Sequence, residues 1–222
     1  MLSLRWILVS LSIVVVCGFP ISIRGPLQRS SLLVVRNMIF SRTNSKVDRN
    51  TLVQEVLALS RTIGPVGVFA SVQDQQSLEQ LALSLKPFSD KNPTQRQLRG
   101  RHSLVYSAAP GGSSGRLAGP LYGTVTQEFI DDDSFINSVQ FGPLEISLRA
   151  TKTSPSNQKN LVQFRQTTVR LFGQTVLQKD IRGGGVWDYL FIGEITDTDG
   201  TVKLVRVMKA PSLFVLEQPL YQ

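Results

Sequence analysis

The chain has 222 residues and a formal net charge of +8, a length that suits one ordinary domain plus tails. Six basic residues (Arg5, Arg24, Arg29, Arg36, Arg42, Lys46) precede the first carboxylate, Asp48, and from residue 47 onward 18 Lys and Arg face 16 Asp and Glu, a net of +2. The body therefore lacks the basic footprint of a nucleic-acid binder, and Cys17, the single cysteine, gives no support to a disulfide-stapled extracellular class.

The leader comes first. Arg5 is followed by a mostly apolar run of about a dozen residues, Trp6 to Cys17, too short for the roughly 20 residues of a membrane-spanning helix. With small residues at Cys17-Gly18, residues 1–18 read as a signal peptide, the alternative being an uncut signal anchor. Residues 19–46 are rich in Arg and Ser and free of acids, which is transit-peptide composition. A signal peptide followed at once by such a segment resembles the bipartite leader of plastid proteins in algae with secondary plastids. In that leader a Phe sits at the signal cleavage point, and Phe19 takes that place. The resemblance implies a plastid location: stroma, thylakoid surface or plastoglobule. The alternative is a secreted protein with a basic stretch.

Two helices are expected over residues 47–95. Leu52, Val56, Leu59 and Ile63 recur at helical spacing after Asp48, a candidate N-cap, and Gly64-Pro65 stops the run. Ser71-Val72-Gln73-Asp74 is a capping pattern. Leu78, Leu81 and Leu85 follow it on one stripe, up to Pro87. Neither stripe is basic enough for a membrane-surface helix, so both are expected to pack on a core.

From about residue 101 the period changes to two. Val125, Gln127 and Phe129 share a face of a strand from about Leu121 to Ile130. Phe135, Asn137, Val139 and Phe141 follow after Asp131-Asp132-Asp133, then Leu144, Ile146 and Leu148, then Val162 with Phe164 and Val169 with Leu171. Val186 to Ile195 and Val202 to Val207 flank an Asp199-Gly200 turn, and Leu213 to Leu216 closes the series. About eight or nine short strands without intervening helices make an antiparallel barrel or sandwich. A barrel of about eight strands removes exposed edges and is wide enough to hold one small ligand. The expected body is thus mainly β, a barrel over residues 96–222.

Catalytic signals are weak. Gly111-Gly112-Ser113-Ser114-Gly115 matches Gly-x-Ser-x-Gly, but a strand follows and the sole histidine, His102, precedes the serine, which does not fit a hydrolase elbow. A Gly/Ser-rich loop is the expectation. One His and no cysteine beyond the leader cannot build the usual zinc sites. Asp131-Asp132-Asp133 lacks calcium-loop spacing and reads as a solvated turn, and Gly183-Gly184-Gly185 as a tight turn or bulge. No cofactor, metal site or catalytic residue is expected. Gln127 and Asn137, polar on apolar faces, form either an internal amide network or a ligand head-group site. Arg206 is either an inward cation that meets a carboxylate or quinone oxygen, or solvent-exposed.

Several segments together resemble a family. Asn92-Pro93-Thr94 is followed by Leu98-Arg99-Gly100-Arg101-His102-Ser103-Leu104-Val105-Tyr106-Ser107. Gln127 and Asn137 come next, then Leu204-Val205-Arg206-Val207 and Ser212-Leu213-Phe214-Val215-Leu216. Over residues 47–218 this order is similar to the plastid lipid-associated proteins, or plastid fibrillins, with His102 where the family has Trp. The resemblance implies a lipocalin-like barrel with N-terminal helices and a non-catalytic protein that binds lipid, carotenoid or prenylquinone at thylakoids or plastoglobules. Alternatives are a structural coat with a packed barrel, and an accessory subunit beside a prenylquinone-synthesising enzyme. The candidate ligand-binding residues are Gln127, Asn137, Arg206, Trp187 and Tyr106.

Overall fold

The computed structural model describes residues 48–109, 114–118, 121–197 and 199–220. The expected signal peptide and transit-like segment lie outside these residues, as does most of the Gly-x-Ser-x-Gly match.

Helix α1 (Arg49–Ile63) begins where the Asp48 carboxylate accepts a hydrogen bond from the Thr51 N–H at 3.1 Å, and ends at Gly64, φ 93°. Ser71 accepts the Asp74 N–H at 3.1 Å to start α2 (Val72–Leu83). The expected helix reaches Pro87; α2 stops at Leu83. A proline ring clashes with the carbonyl four residues back, which for Pro87 is that of Leu83, and the chain turns through a short 3-10 turn at Lys86–Phe88. Leu85 remains fully buried in that turn. Among the described residues no helix is long and apolar enough to cross a membrane.

Eleven strands follow: β1 (Gly100–Ser107), β2 (Arg116–Ala118), β3 (Leu121–Tyr122), β4 (Thr124–Phe129), β5 (Ser134–Phe141), β6 (Leu144–Thr153), β7 (Lys159–Leu171), β8 (Gln174–Asp180), β9 (Gly184–Thr196), β10 (Val202–Lys209) and β11 (Leu213–Pro219). β2 and β3 pair with each other, and the other nine form one sheet in the order β6-β5-β4-β1-β11-β10-β9-β7-β8. β6 also pairs with β7, so hydrogen bonding runs in a ring through eight strands and leaves β8 outside it. β7 is the junction. Its first half, Lys159 to Gln163, pairs with β9, and its second half, Gln166 to Leu171, pairs with β8. All named pairings are antiparallel.

The expected strand from Leu121 breaks at Gly123, where a side chain would run into the Gln140 carbonyl. At Gly184 a Cβ would meet the Val162 carbonyl, a close backbone approach that only glycine allows. The Asp131 turn is solvated as expected, its carboxylate accepting the N–H groups of Asp133 and Ser134.

The strands alternate between two apolar clusters. On the helix side, Val53, Val56, Leu57 and Leu78 pack on Val205, Val207, Val215 and Phe191. On the enclosed side, Phe129, Phe135, Trp187, Tyr189, Ile192, Leu204, Met208 and Leu216 pack together. Register shifts re-aim this alternation. One lies between Leu104 and Tyr106 in β1. Others lie opposite Arg149/Ala150 in β7 and between Val207 and Met208 where β10 meets β9.

Candidate functional site

The enclosed side of β4 to β8 is layered by register. Phe129, Phe135, Ala150 and Phe164 stand opposite one another in one row. Gln127, Asn137, Leu148 and Thr167 form the next, then Val125, Val139, Ile146, Val169 and Leu177. Phe141, Leu144 and Leu171 form the rim. Because opposed residues in an antiparallel pair share a face, these rows all point inward.

Burial falls along the stack. Phe129 and Phe135 are fully covered, Asn137, Val139, Ile146 and Leu148 are half-buried, and Leu171 and Leu177 are each 37 % exposed, with Val169 in the third row still buried. The cause is the split pairing of β7. Where β9 closes the ring, the interior is packed; where β7 pairs with β8 instead, the inner face opens. A recess of ≈ 260 Å³ lies beside Val125, bordered by Leu104, Tyr122 and Pro65.

At the floor of this apolar wall sits Arg206, with no exposed surface. Its Nη1 donates to Gln127 Oε1 at 2.6 Å, and its Nη2 donates to the Tyr189 hydroxyl at 3.2 Å. Gln127 Nε2 in turn donates to Asn137 Oδ1 at 2.9 Å. The guanidinium carbon lies 4.9 Å from the Phe129 ring centre and 5.6 Å from that of Trp187, within range of cation–π attraction. The Arg206 Nε–H has no acceptor among the described residues.

His102 belongs to the same group. It stands opposite Gln127 in β1, is fully buried, and meets Phe129 edge-on at 5.4 Å. Neither ring nitrogen has a hydrogen-bond partner among the described residues. Burial first, and then the charge of Arg206, push its pKa down to about 2, so the ring is neutral and offers one donor and one acceptor. Lys152 lies on the inward face of β6, two residues beyond Ala150 and opposite Val162, and is 7 % exposed. Burial lowers its pKa, Asp133 opposes this, and Arg206 adds to it. Among the described residues no Asp or Glu is buried, and none forms an ion pair with Arg206 or Lys152.

Of the five residues singled out from the sequence, the structure brings four together: Gln127, Asn137, Arg206 and Trp187. For the amide pair it shows a network, and that network ends on an inward, buried Arg206. Tyr106 belongs elsewhere. It packs in the helix-side cluster and lies against Gly67, where a Cβ would collide with its ring. The register shift at Val105 is the reason: His102 and Leu104 point inward, and the extra residue turns Tyr106 to the other face. His102 and Lys152 were not expected in the site. The alternation of β6 carries a signal for Lys152, which has the parity of Ile146, Leu148 and Ala150.

Among the described residues no group of three or more His, Cys, Asp or Glu is placed to hold a metal ion. Compared with protein-family models, with curated proteins and with solved structures, the chain matches none.

Proposed function

We propose that this protein is a non-catalytic plastid lipid-associated protein. In this reading the ring of strands is a lipocalin-like β-barrel that holds an apolar molecule against its inner wall. One observation carries the reading: Val125, Val139, Ile146 and Leu148 are inward and apolar yet only half-buried, and they lead down to a polar network of buried Arg206 and Gln127 with half-buried Asn137. Apolar walls with a few converging polar groups are the usual form of a small-molecule site. Covering such a wall contributes about 25 cal/mol per Å² removed from water. The likeness of residues 47–218 to the plastid fibrillins supports the same reading, as does the leader.

Binding is tested with a prenylquinone and a fatty acid, following Trp187 emission. Trp187 is the only tryptophan outside residues 1–18. Saturable binding that is weakened by Ile146→Glu supports the carrier. A protein that binds neither, and that carries no lipid when isolated from plastids, defeats it.

A second reading, a coat protein docking on lipid, has its own observation. Phe172 is 79 % exposed at the β7–β8 turn and has a positive φ of 51°, a conformation that bulky residues rarely adopt. The two-residue turn with positive φ at Phe172 and Gly173 holds that ring out at its tip. Co-sedimentation with plastid-lipid vesicles, lost in Phe172→Asn and kept in Ile146→Glu, favours the coat over the carrier.

A further inference from the structure

We infer that the inner site takes an amphiphile with an acidic head group, its carboxylate seated between the Arg206 Nε–H and the His102 imidazole with Lys152 as a second cation. This rests on the apolar-ligand reading above and names the class of ligand.

Burying a cation without a counter-ion is expensive, and a buried cation is ordinarily paired. The chain has 16 Asp and Glu, yet among the described residues Arg206 is met only by the amide oxygen of Gln127, the hydroxyl of Tyr189, the Met208 sulfur and aromatic ring faces. These are neutral dipoles and quadrupoles. They orient the guanidinium and leave its charge uncancelled. Lys152, inward on the same enclosed face and 7 % exposed, forms no ion pair among the described residues. The carboxylates whose charge reaches it, Asp133 and Asp132, belong to the exposed β4–β5 turn, and Asp132 is taken by Arg99 at 2.8 Å.

Hydrogen bonding points the same way. Buried polar groups are almost always hydrogen-bonded, yet among the described residues the Arg206 Nε–H and both His102 nitrogens have no partner. Both side chains lie against the Phe129 ring, His102 at 5.4 Å between ring centres and the Arg206 guanidinium carbon 4.9 Å from the centre. A carboxylate is acceptor-only. One such group takes the Nε–H with one oxygen and the imidazole N–H with the other, and supplies the missing negative charge. A neutral quinone or alcohol oxygen would supply no charge.

The wall fixes the rest of the ligand. From Asn137 to Phe141 the inward face of β5 runs four residues, or about 13 Å of apolar surface, joined by Leu148, Ile146 and Leu144 from β6. That length suits an acyl chain lying along the wall with its head at Gln127 and its tail at the rim.

The test uses the delipidated protein and three probes with one tail: hexadecanoic acid, its methyl ester and hexadecanol. Binding is read by Trp187 emission and by native mass spectrometry at about pH 7.5, where the acid's head group is ionised. The expected result is acid binding at least about tenfold tighter than ester or alcohol, the scale of a charge-assisted hydrogen bond. Arg206→Met is expected to bring all three to the same affinity. Should Arg206→Met fail to fold by circular dichroism, Lys152→Met is expected to weaken the acid at least about twofold relative to the ester. Equal affinities in the unmodified protein overturn the inference and make Arg206 a structural cation, while leaving the apolar carrier standing. An acid preference that survives Arg206→Met also overturns it. If none of the three probes binds, the carrier reading and this inference fall together.

Discussion

The two sides of the sheet are built from the same alternating strands and differ in what they bury. Under α1 and α2 the cluster is Leu, Val, Ile and Phe, with Tyr106 as its one large amphipathic member. Inside the ring the strands place a guanidinium, a neutral imidazole and two amides among the aromatics. β10 shows the contrast within one segment: Val205 and Val207 face the helices, Arg206 faces inward. A fold that needed only stability would put leucine at Arg206, since replacing buried charge by packed apolar groups is often neutral or stabilising. The helix side holds the molecule together, and the enclosed side accepts a cost that stability alone does not explain.

That division predicts graded responses. The largest is expected at Leu57, fully buried on the helix side: Leu57→Ala lowers unfolding free energy by about 2–5 kcal/mol, read by urea titration, while leaving the relative affinity of acid and ester unchanged. Gln127→Leu removes the acceptor of Arg206 and the donor to Asn137. It is expected to cost about 1–3 kcal/mol, and a second change, Arg206→Met, should recover much of the loss. A double-mutant cycle that shows no coupling would dissolve the network.

His102 sets a pH response. Its pKa is near 2 in the folded protein and about 6.5 when unfolded, so below pH 6.5 the unfolded chain binds a proton that the native state refuses. Stability is therefore full above that pH and falls by roughly 1.4 kcal/mol per pH unit on acidification toward pH 2. His102→Phe is expected to flatten this slope in melts between about pH 6.5 and 4.5. Lys152→Met should raise stability at neutral pH by on the order of 1 kcal/mol, because burial of the residue disfavours its charged form. Smallest is Phe172→Asn, expected to stabilise by about 0.5 kcal/mol, since Asn-Gly suits a two-residue turn with positive φ at both positions, as at Phe172 and Gly173.

Much of this was legible in the sequence where local chemistry and burial agree. Asp48 and Ser71 cap their helices as the spacing predicts, and Val125, Gln127 and Phe129 keep one face against Phe135, Asn137 and Val139. The change of parity from Val162 and Phe164 to Val169 and Leu171 is a bulge within one strand, β7. β8 was missed because all seven of its residues are exposed, so no burial imposes an alternation on them. Tyr106 was misplaced because a single-residue shift cannot be seen in a period of two. Neither Lys152 nor His102 is marked as a site residue by the sequence, because a lysine in a strand normally points outward and a lone histidine carries no charge signature of its own.

The strand left outside the ring has a kinetic consequence. On one edge β8 is tied to β7, and no described strand pairs with its other edge. Alternate amides along Gln174–Asp180 therefore face solvent without a carbonyl partner, and hydrogen exchange there proceeds without any opening event. The amides of β10, flanked by β9 and β11 on both edges, exchange only through larger unfolding. The molecule thus carries its own clock hands, with the fastest and slowest amides in two strands of one sheet. A ligand bound to the native state raises the cost of that larger unfolding, so it would slow β10 and leave the free-edge amides of β8 unmoved.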